Sequence, residues 1–300
     1  MPTRALSEVQ LVRMSPRQPA ARRAVEQFTR SVEALARQRT QARARERAEA
    51  ARSQRALLRP FAKAIESDSV AAAALAGLRT RRLGSLDKLS ARASFRASPP
   101  AASVLSLTLH EHLAVIGPPY DFEWQWGNAQ QTLANASTGA IGVLGESGHF
   151  ANGSADAVHA ASGIGLILTT DKPALVSVRP FIQYSWAYAV GASGAFSSGS
   201  AAGGIDAAAF LNGKLIDGVH RSQVFSDSRG WAGTDSDSGD GIAWVPDLTV
   251  GFSMAPGEVY AVPFGAWVDC DHTSGIGFGA GGGKVQAQVK WVVVERFVAG

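Results

Sequence analysis

The sequence predicts an antiparallel β-sandwich of jelly-roll type, roughly nine to eleven strands, preceded by an α-helical arm rich in arginine and alanine. Three observations carry this. In Ala174–Val190, the residues Val176, Val178, Ile182, Tyr184, Trp186, Tyr188 and Val190 fall on one parity, the period of a strand whose alternate side chains share a face. Apolar stretches with turn signals follow one another from residue 104 to the end, and no helix-length periodic segment separates them, which argues against a parallel βαβ fold. The charge is also split. Residues 1–100 hold 21 Lys and Arg against 8 Asp and Glu, whereas residues 101–300 hold 8 against 17, within a net charge of +4. Two physically different modules follow from that asymmetry.

Taken in order, residues 1–18 contain Pro2 and Pro16 and lack periodicity, so a flexible lead-in is expected. Residues 19–97 are dominated by helix formers and read as a basic helical arm, hairpin or coiled-coil-like. Val25, Phe28, Val32 and Leu35 make a short a/d seam. Beyond it Arg37, Arg39, Arg43, Arg45, Arg47, Arg52 and Arg55 spread around the helix axis as a basic patch. A solvated arm that self-associates or docks, giving a homo-oligomer, outweighs nucleic-acid or anionic-membrane binding here. The aromatic interleaving of a single-strand binder is missing, and no DNA-binding motif is present. Residues 98–103 include Pro99 and Pro100 and form the linker.

The sandwich domain spans 104–300. Strands are expected over Ser103–Ile116, Phe122–Trp126, Ala140–Leu144, Gly163–Thr170 and the 174–190 stretch, where Pro180 demands a bulge or an edge. Gly191–Gly204, Ser226–Gly241 and Asp271–Gly283 read as Gly-rich loops because Gly, Ser and Asp are depleted in strands. Asn212-Gly213 between apolar runs fits a two-residue type I′ hairpin turn. Ile242–Phe252, Glu258–Cys270 and the alternation from Val285 to Val293 supply the remaining strands.

Chemistry-bearing residues are few. The acidic segment Asp235, Asp237, Asp240 spaces oxygen ligands among glycines, as a Ca²⁺ loop does, although it departs from the EF-hand pattern at its closing positions. Within the same segment Trp231, flanked by Gly230 and Gly233, with Asp227 and Arg229, forms a candidate ligand set: a loop tryptophan stacks on a sugar or anchors a protein surface. His110 and His112 would share one strand face and start a transition-metal site in the alternative reading, a metal-dependent or carbohydrate-active enzyme that also uses loop carboxylates. No nucleophile elbow or phosphate loop survives inspection, since Gly145-Glu-Ser-Gly-His lacks the second Gly and Gly277–Gly282 precedes a strand. The single cysteine, Cys270, is assigned to the core. Tyr184, Trp186 and Tyr188 are assigned to core and rim packing. No signal peptide or span-length apolar run is seen, so a cytoplasmic location, or export without a signal peptide, is expected. The function expected from these features is that of a non-catalytic binding or assembly protein. Its loops hold a carbohydrate or protein ligand, with Ca²⁺ as the candidate cofactor.

Overall fold

The computed structural model describes residues 11–70, 73, 108–110, 113–148, 157–244, 246–273 and 278–297. The strands form a hydrogen-bonded antiparallel network that folds into two facing layers, with one long helix on the outside of the first. The first layer is built on β7 (Ala157–Thr170) and β13 (Tyr260–Thr273), which pair along most of their length. β1 (Leu11–Arg13) and β4 (Phe122–Gly127) add to the far side of β7. The second layer is built on β14 (Phe278–Phe297), flanked by β6 (Ala140–Gly148) with β5 (Gln131–Asn135), and by β3 (Leu113–Ile116) with β2 (Thr108–His110).

β8 (Ala174–Ala207) belongs to both layers. Its residues 175–193 pair with β14, and its residues 198–207 pair with β13. On its other side runs β11 (His220–Trp244), antiparallel from Phe181 to Ala207, while β12 (Val250–Met254) takes residues 174–178. The strand predicted over 174–190 is therefore the first half of a 34-residue strand that changes layers. The crossing lies at 194–197, with Gly194 at φ 95° and a register shift at Trp231 in β11 opposite it. Such a bulge bends a strand pair sharply. Pro180 falls in the gap between β11 and β12, next to the irregularity at Lys290 in β14, so on the β11/β12 side it interrupts no pairing.

Three segments expected as loops are strands: Gly191–Gly204 within β8, Ser226–Gly241 within β11, and most of Asp271–Gly283 within β13 and β14. Packing overrides the low strand preference of their residues. Phe225 lies over Gly203 and Gly283, where an added Cβ would sit 2.5 Å and 2.8 Å from the ring. Bulky neighbours at those positions would push the two layers apart. Similarly, Ser103–Ile116 holds two short antiparallel strands in place of one. The hairpin at Asn212-Gly213, between β9 (Phe210–Leu211) and β10 (Lys214–Leu215), forms as predicted, with φ of 52° and 75°.

The interior between the layers holds Ile141, Val158, Ile164, Leu166, Ile182, Phe264, Val268, Val285 and Val289, all inaccessible to solvent. Cys270 lies there too, its thiol donating to the Gly145 carbonyl at 3.4 Å, with burial pushing its ionisation well up. A second cluster sits outside the first layer, under α1 (Pro19–Ser67). The seam Val25, Phe28, Val32 docks there: Phe28 packs against Phe122, Trp124 and Phe210, with ring centroids 4.9–5.8 Å apart. Phe122 and Trp124 stand at alternate positions of β4, over Gly165 and Gly163 of β7, which leave room for the rings. Of the lead-in, residues 11–13 join the sheet: Arg13 pairs with the buried carboxylate of Asp121 at 2.8 Å, and Asp121 accepts from the Ile167 amide at 2.8 Å. The Pro-rich linker lies outside the described residues.

Candidate functional site

Among the described residues β11 pairs only with β8, as an edge strand whose first half borders one layer and whose second half borders the other. The two halves face each other across an open side of the sandwich. Register fixes what points inward. Phe225, Asp227 and Arg229 stand opposite Gly203, Ala201 and Gly199, whose parity faces the interior. Across the gap, Tyr184, Trp186 and Tyr188 of β8 stand opposite Gly241, Gly239 and Asp237.

The result is a groove floored by rings. The Trp186 and Tyr188 rings are stacked, centroids 6.0 Å apart and planes within 8° of parallel, and Phe225 stacks against them at 5.8 Å and 5.4 Å. Trp186 and Tyr184 lie over cross-strand partners that have no side chain: a Cβ at Gly239 would stand 2.9 Å from the Trp186 ring, and one at Gly241 2.6 Å from the Tyr184 ring. Tyr184, Trp186 and Tyr188 are each partly exposed, in contrast to the sealed residues Ile182 and Val190 on the same parity.

Charged groups rim the rings. Arg229 bridges the two halves of β11, hydrogen-bonded to Asp235 and 3.2 Å from Asp227. This guanidinium holds the Asp235 carboxyl below its ordinary range, and Asp235 raises Arg229 in turn. Asp227, Asp235 and Asp237 each accept from the amide of the following residue, at 2.7–2.8 Å, which fixes their orientation. Desolvation and then these three carboxylates push the Tyr188 hydroxyl up, so it stays a hydrogen-bond donor at neutral pH. Chemically the groove offers flat apolar faces, carboxylate acceptors, and phenol and guanidinium donors.

The structure thus brings Asp227, Arg229, Asp235 and Asp237 together, but on a strand. Asp240 pairs with Ser185, on the opposite parity, and points away. The loop geometry behind the Ca²⁺ expectation is absent: alternate positions on a strand stand about 7 Å apart and do not wrap an ion. Among the described residues no group of three or more His, Cys, Asp or Glu is placed to hold a metal. Trp231 marks the bend of β11, at φ 61° and 65% exposed, at the closed end of the groove. Tyr184, Trp186 and Tyr188 pack against the interior and stay partly exposed at its rim, as the sequence predicts; the signal that marks them in the sequence is Gly239 and Gly241 at alternate positions facing alternate aromatics. Glu111 and His112, and the side chain of His110, lie outside the described residues.

The basic patch divides. Arg43 pairs with Asp269 of β13, which also lies 3.5 Å from His159, and Arg39 faces Asp206 and Asp269. These two arginines are directed at the sheet. Arg37 pairs with Glu33 at 3.1 Å, Arg45 and Arg52 are exposed, and the side chains of Arg47 and Arg55 lie outside the described residues. Between α1 and the strands β8, β11 and β13 an open cleft of about 540 Å³ is lined by Ser200, Ser226, Ser228, Asp269, Asp271 and Glu46.

No protein-family model matches this chain, and no curated protein matches it. Two solved structures share a weak likeness. The crystal structure of a GH31 alpha-xylosidase from Xanthomonas citri is 8% identical with a TM-score of 0.14, covering 62% of this chain and 20% of that one. That of infectious bursal disease virus, Gx strain, is 9% identical with a TM-score of 0.14, covering 68% of this chain and 48% of that one. At these scores neither bears on fold or function.

Proposed function

We propose that the protein is a non-catalytic binding protein that takes a carbohydrate in the groove between the two halves of β11. One observation carries the proposal: the parallel, partly exposed rings Trp186 and Tyr188, with Trp186 over Gly239, rimmed by Asp227, Arg229, Asp235 and Asp237. A pyranose presents an apolar face of C–H groups and an equatorial belt of hydroxyls. Flat rings take the face, and carboxylates and a guanidinium take the belt. Two of the three carboxylates in the polar set, Asp227 and Asp235, are held in ion pairs with Arg229, which favours binding over use as an acid/base pair. In this proposal α1 docks on the far face of the sandwich and leaves the groove open.

The test is titration calorimetry against a panel of soluble neutral polysaccharides, with Tyr184→Ala and Trp186→Ala beside the wild type. Each stacked ring contributes about 0.5–1.5 kcal/mol beyond its buried area, so each variant is expected to weaken binding about tenfold. Calcium and EDTA are expected to leave the affinity unchanged. Binding that both variants retain, or no binding to any member of the panel, sinks the proposal.

A further inference from the structure

We propose a second site, independent of the groove: the hollow between α1 and the outer face of the first layer takes a small amphipathic anion, an apolar chain or ring carrying one carboxylate. The hollow measures about 70 Å³ and is open at one end. Its walls are mostly apolar, from Phe28, Val32 and Leu35 on the helix and Trp124, Phe210 and Val219 on the strands and their connections, with Arg39, Arg221 and Asp206 as its charged lining. Leu35 and Val219 stand at its mouth, 43% and 39% exposed, so apolar surface is left in water where an apolar ligand would cover it.

Charge decides the rest of the ligand. Three guanidinium groups, Arg39, Arg43 and Arg221, meet two carboxylates, Asp206 and Asp269, along this junction. Arg43 is taken by Asp269, and Arg221 lies 3.6 Å from Asp206 and 4.5 Å over the Trp267 ring. The nearby His159 is neutral at pH 7, because burial lowers it to about 4. Arg39 is left over. It lines the hollow and, among the described residues, makes no hydrogen bond and no close ion pair. Burial and the two neighbouring guanidinium groups weigh against its charge, whereas Asp206 and Asp269 only partly offset them. Arg39 therefore stands at the solvent-exposed rim of an apolar hollow without a dedicated partner, where a bound anion would give it one. The apolar walls then accept the body of the molecule, while Arg39, beside Arg221, accepts its carboxylate, with the planar fork suited to two-point contact.

The experiment compares hexanoate, hexan-1-ol and hexylammonium, which share a body and differ in head charge, by calorimetry and thermal unfolding of the full chain at pH 7. Hexanoate is expected to bind at least tenfold more tightly than hexan-1-ol and to raise Tm, and hexylammonium to do neither. Arg39→Gln is expected to remove the preference for hexanoate over hexan-1-ol. Arg39→Lys, which keeps the charge, retains part of it, and Arg45→Gln, on exposed helix surface, leaves it intact. Circular dichroism confirms that each variant is folded. Equal binding of hexanoate and hexan-1-ol to the wild type, a preference that survives Arg39→Gln, or no hexanoate binding up to about 10 mM overturns the proposal. Tyr184→Ala is expected to leave hexanoate binding as it is, which separates this site from the carbohydrate groove.

Discussion

Replacing Phe28 by alanine tests whether α1 is a structural layer of the sandwich or a free arm. Phe28 is 1% exposed, and its ring meets Phe122, Trp124 and Phe210 at centroid distances of 5.4, 5.8 and 4.9 Å, two of them edge-on. Truncating a buried Phe costs about 3–5 kcal/mol, through lost transfer energy and the cavity left behind. Lost edge-on contacts weigh toward the upper part of that range. The helix lies on one side of this cavity and cannot collapse freely, because Arg43 and the Asn212-Gly213 turn hold it further along. We therefore expect a loss of about 4 kcal/mol, a large share of the ~5–15 kcal/mol of a typical domain. With an m of about 3 kcal/mol/M in urea, the midpoint falls by more than 1 M. The assay is equilibrium urea unfolding followed by tryptophan fluorescence, which reports the sandwich because all seven tryptophans lie beyond residue 100. Leu35→Ala is the comparison. It sits on the same seam but is 43% exposed, and is expected to cost under about 1 kcal/mol. If Phe28→Ala shifts the midpoint no more than Leu35→Ala does, the helix is not integral to the fold and the argument fails.

Two further outcomes follow from the same junction. Burial lowers the buried His159 to about 4 from an ordinary 6.5, so the unfolded chain takes the proton first as pH falls. Stability is then fully present above about pH 6.5 and is lost by roughly 3 kcal/mol between 6.5 and 4; denaturation midpoints across that range check it, and His159→Gln should remove most of the slope. Gly213→Ala places a Cβ 2.9 Å from the Gln27 carbonyl of α1 at φ 75°, whereas Gly257→Ala has the same φ and nothing within 4 Å. The first should cost about 1–2 kcal/mol more than the second, and equal losses would mean that the turn does not press on the helix.

How far the sequence reveals this molecule depends on where each residue's partner lies. Strand periodicity needs only neighbours two residues apart, so the parity of 174–190 and the Asn212-Gly213 hairpin were both readable. Gly203, Gly239 and Gly283 are another matter. Each is a glycine because an aromatic from a different strand lies over it, Phe225 over the first and third and Trp186 over the second. Viewed locally such glycines signal loops, and so 191–204, 226–241 and 271–283 were assigned to loops. The same difference changes how the charged residues are presented: Asp227, Arg229, Asp235 and Asp237 lie on a strand, at fixed intervals along one face, where the sequence predicts a loop. The arm shows the converse. Its seam Val25, Phe28, Val32 was plain, and a helix with a short apolar stripe needs some partner to cover it. Nothing in the helix itself says whether that partner is another helix or the aromatic face of β4, because Phe28 meets Phe122 and Trp124 across nearly a hundred residues of chain. The aromatic alternation of β4 was equally plain in the sequence, and a strand outside the interior can bury such a face only under a layer of its own. Matching the apolar stripe Val25, Phe28, Val32 to the aromatic face of β4 is the step that joins arm to sandwich, and it also creates the hollow beside Arg39.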